Sequence, residues 1–196
     1  MLENDPSNTT WLYNALTAAT LLLSLVPPGQ WTAREFAGLE RIESKLAGGS
    51  TVDASDKDYL RLKFRVRYLR DVLLLRQGDA QAALRAAQQT QEEWRAAGQG
   101  KAMVSDLRLT EAGIQQLLGS ARAATGDVSG ARETWQAAAD RVDDTPTANL
   151  SLLAIRRLLA IDLGDTARAD EIGARLEAAG YRDPRTDPGY TSRFPL

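Results

Sequence analysis

Leu118-Gly119-Ser120-Ala121-Arg122-Ala123-Ala124-Thr125-Gly126-Asp127-Val128-Ser129-Gly130-Ala131 runs through a single chain reversal. Both flanks are rich in strong helix formers. Gly126 lets the chain turn back tightly, and Ala131 is small enough for the second helix to approach the first closely. The same Gly-Asp break recurs at Gly78-Asp79 and Gly164-Asp165, each followed five residues after the Gly by an alanine, Ala83 or Ala169. Asp79 can cap the next helix through its carboxylate. Three reversals built alike predict antiparallel helix hairpins stacked side by side, an all-α fold.

Working outward from these breaks gives eight predicted helices in four pairs. The first runs from about Thr10 to Val26 and is stopped by Pro27-Pro28-Gly29. The second starts at a capping box, Thr32 with Glu35, and a staple, Trp31 with Phe36, and stops at Gly48-Gly49. The third covers Asp56 to about Gln77. Within it, Leu60 to Tyr68 alternates apolar and basic residues, which is strand periodicity. Helix is still preferred, because no turn interrupts the run and a lone strand would lack a partner. The fourth spans Ala80–Ala97, and the fifth Met103–Thr125, with Ser105 as its cap. The sixth ends near Val142, and the seventh starts at Thr145-Pro146, where Pro sacrifices no hydrogen bond. The eighth covers Thr166–Ala179 and closes on Gly180, with Tyr181 placed to pack back on it. Residues 1–180 thus form one helical domain, and 181–196, with three prolines, an extended tail.

Leu118-Gly119, Gly126-Asp127, Ala131, Trp135 and Ala138 together resemble the tetratricopeptide repeat in identity and spacing. The resemblance covers about Thr10–Gly180 and is strongest over Leu118–Trp135. It departs from the family pattern at Gln115 and Arg122, where Trp and Tyr are preferred, and at Ala87 and Gly173, which replace an aromatic. The breaks are also further apart than the family's 34-residue repeat. An irregular helical bundle is the alternative. The resemblance implies a tetratricopeptide-like α-solenoid whose first helices line a concave surface holding a partner segment. Asp5-Pro6-Ser7-Asn8 resembles a junction between repeats, and Gly180-Tyr181-Arg182-Asp183-Pro184 resembles the close of repeat regions in bacterial multidomain proteins. The expectation is therefore the C-terminal part of a larger bacterial regulatory protein.

Composition narrows the chemistry. A chain of 196 residues can bury roughly two-thirds of its unfolded surface as one domain. Histidine and cysteine are absent, which removes the commonest zinc ligands, Cys–His pairs and any Ser–His–Asp triad. Carboxylate chemistry alone remains open. The net charge of −2 argues against a general nucleic-acid binder. Glu92-Glu93 and Asp143-Asp144 are adjacent pairs that point apart on a helix and form no dyad. No phosphate loop is present. The expectation is no enzyme, no cofactor and no metal. Trp11–Val26 is too short to span a bilayer, and its polar residues Asn14, Thr17, Thr20 and Ser24 share one face, so a core helix is preferred over an anchor. Compartment is open, with cytoplasm preferred over periplasm.

Carried over by register, the family's concave face receives Arg65, Tyr68 and Val72 from one pair, Gln116, Ser120 and Ala123 from the next, and Ser151, Ala154 and Leu158 from the last. Solvent-facing or shallow-core positions are the alternative for all of these. Arg61, Lys63, Arg65, Arg67 and Arg70 form the densest basic cluster, which suits a clamp for an acidic peptide or carboxylate. Asp53, Asp56, Asp58 and Asp71 could instead neutralise it. Candidate partner-binding residues are therefore Arg61, Arg65, Tyr68, Val72, Gln116 and Ser120. Tyr181, Tyr190 and Phe194 of the tail could lie back on Leu158 and Ile161. The functional expectation is a non-catalytic module that binds a protein or peptide. A small-ligand sensory domain, or an oligomerisation unit self-associating through Trp11–Val26, are the alternatives.

Overall fold

A computed structural model of the protein describes residues 33–48, 57–98, 105–143 and 149–181, together with positions 14, 17 and 18, which are helical. The described residues form seven helices and no strand: α1 (Ala33–Gly48), α2 (Lys57–Arg76), α3 (Ala80–Gly98), α4 (Ser105–Ala124), α5 (Val128–Asp143), α6 (Leu150–Leu163) and α7 (Thr166–Ala178). The all-α expectation holds for this part of the chain. Most of the first predicted helix lies outside the described residues, as do Trp31 and Thr32 of the staple and capping box; their partners Glu35 and Phe36 fall in the first turn of α1.

The Gly-Asp dipeptide does two jobs at each reversal. Gly78, Gly126 and Gly164 take φ of +83°, +92° and +81°, which only glycine adopts without strain. That bend lets the following Asp N–H reach back to a carbonyl of the last turn: Asp79 to Leu74 (3.2 Å), Asp127 to Arg122 (3.0 Å) and Asp165 to Ala160 (2.9 Å). The Asp carboxylate then accepts a backbone N–H from the next helix: Ala82 (2.9 Å), Gly130 (2.9 Å) and Arg168 (3.1 Å). Ala83, Ala131 and Ala169 donate to the same Asp carbonyls and are buried against the preceding helix. Two residues therefore satisfy backbone groups of both helices.

The alternating segment Leu60–Tyr68 is helical. Its period arises because α2 is packed on two sides. Leu60 and Phe64 form one stripe, in a cluster with Trp94 of α3 and Ile114 of α4. Leu62 and Val66 form a second stripe roughly opposite, since two residues turn a helix by about 200°. Arg70, one turn further along that stripe, pairs with Glu43 of α1.

Consecutive helices pack on each other from α1 to α7, and α2 packs on α4 and α4 on α6. A core cluster among the described residues joins α4, α5 and α6 through Ala112, Ala131, Trp135, Val142, Leu152 and Leu159. The α5 side chain Trp135 lies directly against Gly119 of α4, where an added Cβ would stand 2.3 Å from the indole Nε1. That nitrogen donates to the Gln116 carbonyl at 3.0 Å. A second cluster, Leu153, Ala154, Ile172 and Leu176, joins α6 to α7, with Tyr181 packed back on it.

One helix start differs from the sequence expectation. The described part of α6 begins at Leu150, with Asn149 as its cap, not at Thr145-Pro146. The Asn149 side chain accepts from the backbone N–H groups of Ser151 (3.0 Å) and Leu152 (3.3 Å), and its carbonyl shares the Leu152 N–H at 3.1 Å.

Candidate functional site

The face to be tested is formed by the first helices of successive hairpins, α2, α4 and α6. Arg61, Arg65, Tyr68 and Val72 fall at spacings of four, three and four, one continuous stripe along α2. Arg61 and Arg65 are exposed, whereas Tyr68 and Val72 are half-buried. The Tyr68 ring crosses to α4, where its Cε2 lies 3.7 Å from the position a Cβ on Gly113 would take. The ring thus lies at van der Waals range of Gly113, in the seam between α2 and α4.

The basic cluster divides according to helix face. Lys63 pairs with Glu93 of α3 at 3.1 Å, and Arg67 pairs with the same carboxylate. Arg70 pairs with Glu43 at 3.0 Å and approaches Asp71 at 3.5 Å. Burial pushes the Glu93 carboxyl up, but hydrogen bonds from Arg67 and Lys63 and their charges outweigh it and hold it below its ordinary range. Neutralisation thus comes chiefly from Glu93 and Glu43 on neighbouring helices. Of the four nearby aspartates expected to supply it, Asp71 alone has a described contact of this kind; Asp53 and Asp56 lie outside the described residues. Arg61 and Arg65 are the two exposed cations of the cluster.

Asp71 is fully buried, an uncommon place for a carboxylate. Thr90, itself buried on α3, donates its hydroxyl to Asp71 Oδ2 at 2.9 Å. Burial pushes the Asp71 carboxyl up to about 6, against the opposing pull of the Thr90 hydrogen bond and the Arg70 charge. Sequence reasoning placed Asp71 among surface charges, and nothing local marks it as interior. Its register does: Asp71 stands seven residues before Gly78, as Gly119 stands seven before Gly126.

Gln116 is buried, and its side chain joins helices of the array. Its Nε2 donates to Asp162 Oδ2 of α6 at 2.8 Å and to Ser120 Oγ at 3.1 Å, while the Ser120 hydroxyl donates to the Gln116 carbonyl. Burial raises the Asp162 carboxyl, opposed by the Gln116 bond. Gln116 and Ser120 therefore form, with Asp162, a polar seam between α4 and α6. Of the remaining register positions, Ala123 and Leu158 are half-buried against the α4–α6 core, Ser151 is half-buried, and Ala154 is fully buried facing α7. Ile161 is 46% exposed, whereas Tyr190 and Phe194 lie outside the described residues. So does most of Trp11–Val26.

Among the described residues, no group of three or more acidic side chains converges as a metal-ligand set. No helix among them is long and apolar enough to cross a membrane. The face carries two exposed arginines, a half-buried aromatic ring, an apolar step at Val72 and a polar seam at Ser120. Compared with family models, with curated proteins and with solved structures, the chain matches none.

Proposed function

We propose that the chain is a tetratricopeptide-like stack of helix hairpins that binds an extended partner segment across α2, α4 and α6, without catalysing a reaction on it. One observation carries the reading. The first helices touch, α2 on α4 and α4 on α6, whereas among the described residues the second helices α1, α3, α5 and α7 do not touch one another. Closer spacing on one side bends a stack of hairpins toward that side, as in helical solenoids, and makes it concave. The stripe Arg61, Arg65, Tyr68 and Val72 and the seam Gln116–Ser120–Asp162 lie on these inner helices.

The chemistry of the stripe favours a segment with an acidic end followed by an apolar side chain. The guanidiniums of Arg61 and Arg65 would take the carboxylates, and Tyr68 and Val72 the apolar group. Gln116 would contribute by holding α4 to α6, since its amide is engaged internally.

Random peptides displayed on phage and selected on the full chain test the reading, run in parallel on the double variant Arg61→Glu, Arg65→Glu. The expected result is an enriched motif of acidic then apolar residues on the wild type that disappears on the variant. No enriched motif, or one indifferent to the charge reversal, would overturn it.

A further inference from the structure

The junction between α1 and α2 holds two carboxylates and one guanidinium. Arg70 Nη1 donates to Glu43 Oε2 of α1 at 3.0 Å, and Arg70 Nε stands 3.5 Å from Asp71 Oδ1. The second approach makes no hydrogen bond. Asp71 Oδ1 and Glu43 Oε1 are both buried, and neither oxygen has a hydrogen-bond partner. Burying an acceptor without a donor is costly, and more so when it carries charge.

The groups that act on Asp71 come from three helices. Glu43 belongs to α1, Arg70 to α2 itself, and α3 supplies the neutral hydroxyl of Thr90. Glu93 of α3 is taken up by Lys63 and Arg67, and among the described residues no charged group of α4 bears on Asp71. One cation therefore serves two carboxylates, and this cluster carries one negative charge in excess. A proton on Asp71 removes that excess and turns an orphan acceptor into a donor.

Burial holds the Asp71 carboxyl up at about 6, and the Glu43 charge pushes it the same way. Among the described helices, α1 packs on α2 alone. Docked α1 thus brings Glu43 to Asp71 and makes Asp71 bind its proton more tightly. By reciprocity the proton favours docked α1. The carboxyl is raised, so this advantage is present below about pH 6 and is lost as pH rises through that value.

We propose that the cluster of Glu43, Arg70, Asp71 and Thr90 is a proton-operated latch, in which one proton taken up at Asp71 tightens α1 on α2. Protonated Asp71 no longer competes with Glu43 for Arg70, so the ion pair between the two helices strengthens. The extent of the closed stack would then follow pH, independently of any partner segment on the face of α2.

Hydrogen–deuterium exchange on the full chain at about pH 5 and about pH 7.5, corrected for the intrinsic dependence of exchange on pH, tests this. The α1 amides are expected to be less protected than those of α4, because α1 opens separately, and to gain at least about threefold protection in acid. Asp71→Asn keeps an acceptor for the Thr90 hydroxyl and should leave α1 equally protected at both pH values. Glu43 is half-buried, so Glu43→Gln should fold however Asp71 tolerates change, and it should reduce the acid gain by at least about half. A smaller gain in the wild type, a loss in acid, or a gain that survives either variant undiminished would overturn the proposal. So would α1 and α4 exchanging at one rate, because the proton would then act on the whole fold.

Discussion

The hairpins α2–α3 and α4–α5 share their turn and differ in what fills the space behind it. In α4–α5, Gly119 stands seven residues before the turn glycine and Trp135 nine after it, and the indole fills the gap left by the missing side chain. In α2–α3 the same two places hold Asp71 and Ala87. There the aromatic is Trp94, further along the helix, whose ring meets Phe64 edge-on at 4.8 Å, and Thr90 reaches in to bond Asp71. The hairpin α6–α7 inverts the first arrangement: Arg157 lies against Gly173, with its Nε 3.1 Å from where a Cβ would stand. A turn of two residues fixes the reversal. Packing is then set by a pair of places of complementary size, and large-with-small can be solved from either helix.

The largest test of that comparison is Trp135→Ala, expected to cost about 3–5 kcal/mol in chemical denaturation because it empties the centre of the α4–α6 cluster. Gly119→Ala alone should cost about 1–3 kcal/mol, since its Cβ overlaps the indole. Combined with Trp135→Ala, the same Gly119→Ala change should become neutral or stabilising by up to about 1 kcal/mol, through helix propensity. Simple additivity would refute the size-pair account.

The polar solution in α2–α3 should be visible in pH dependence. The folded value of Asp71, about 6, lies above its ordinary 3.8, so the folded state holds this proton more tightly than the unfolded one. Asp71 therefore costs stability above about pH 6, and the cost disappears as pH falls toward 4. Asp71→Asn should gain up to roughly 3 kcal/mol over the wild type at neutral pH, with the gap closing in mild acid. A gap independent of pH would contradict this. Thr90→Val removes the hydroxyl donor and should cost about 1–3 kcal/mol near neutral pH. No comparable slope is expected from α4–α5, whose equivalent place is Gly119.

Smaller effects test what the hairpins share. Gly126→Ala forces a side chain onto a φ of +92° and should cost about 1 kcal/mol, and Gly78→Ala a similar amount, because both hairpins use the same turn. Glu93→Gln should cost only about 0.5–1 kcal/mol, since the Lys63 and Arg67 pairs are partly solvated. Glu93 is held below its ordinary range, so its contribution is present at neutral pH and lost as acid protonates it.

The helices were legible because their punctuation is local. Gly-Asp carries both caps in two adjacent residues, and the positions of Ala83, Ala131 and Ala169 follow from it. The α6 start was missed because Thr145-Pro146 fits a helix start so well that Asn149, whose side chain bonds the Ser151 and Leu152 N–H groups of the described helix, was passed over. The candidate site was legible only as a stripe. Arg61, Arg65, Tyr68 and Val72 share a face by spacing alone, but the partners of Lys63, Arg67 and Arg70 come from α1 and α3. Local sequence cannot say which distant carboxylate a cation meets. Gln116 looked like a groove residue because its register is that of Tyr68; its amide reaches Asp162, forty-six residues on, a pairing that only the stacking of α4 on α6 creates.

The most direct test of partner binding is fluorescence anisotropy with a labelled acidic–apolar peptide from the selection, titrated with wild type, Arg65→Glu and Arg132→Glu. The account predicts that Arg65→Glu weakens binding about tenfold or more and Arg132→Glu leaves it unchanged. Equal loss in both variants, or none in Arg65→Glu, would contradict a binding face on α2, α4 and α6.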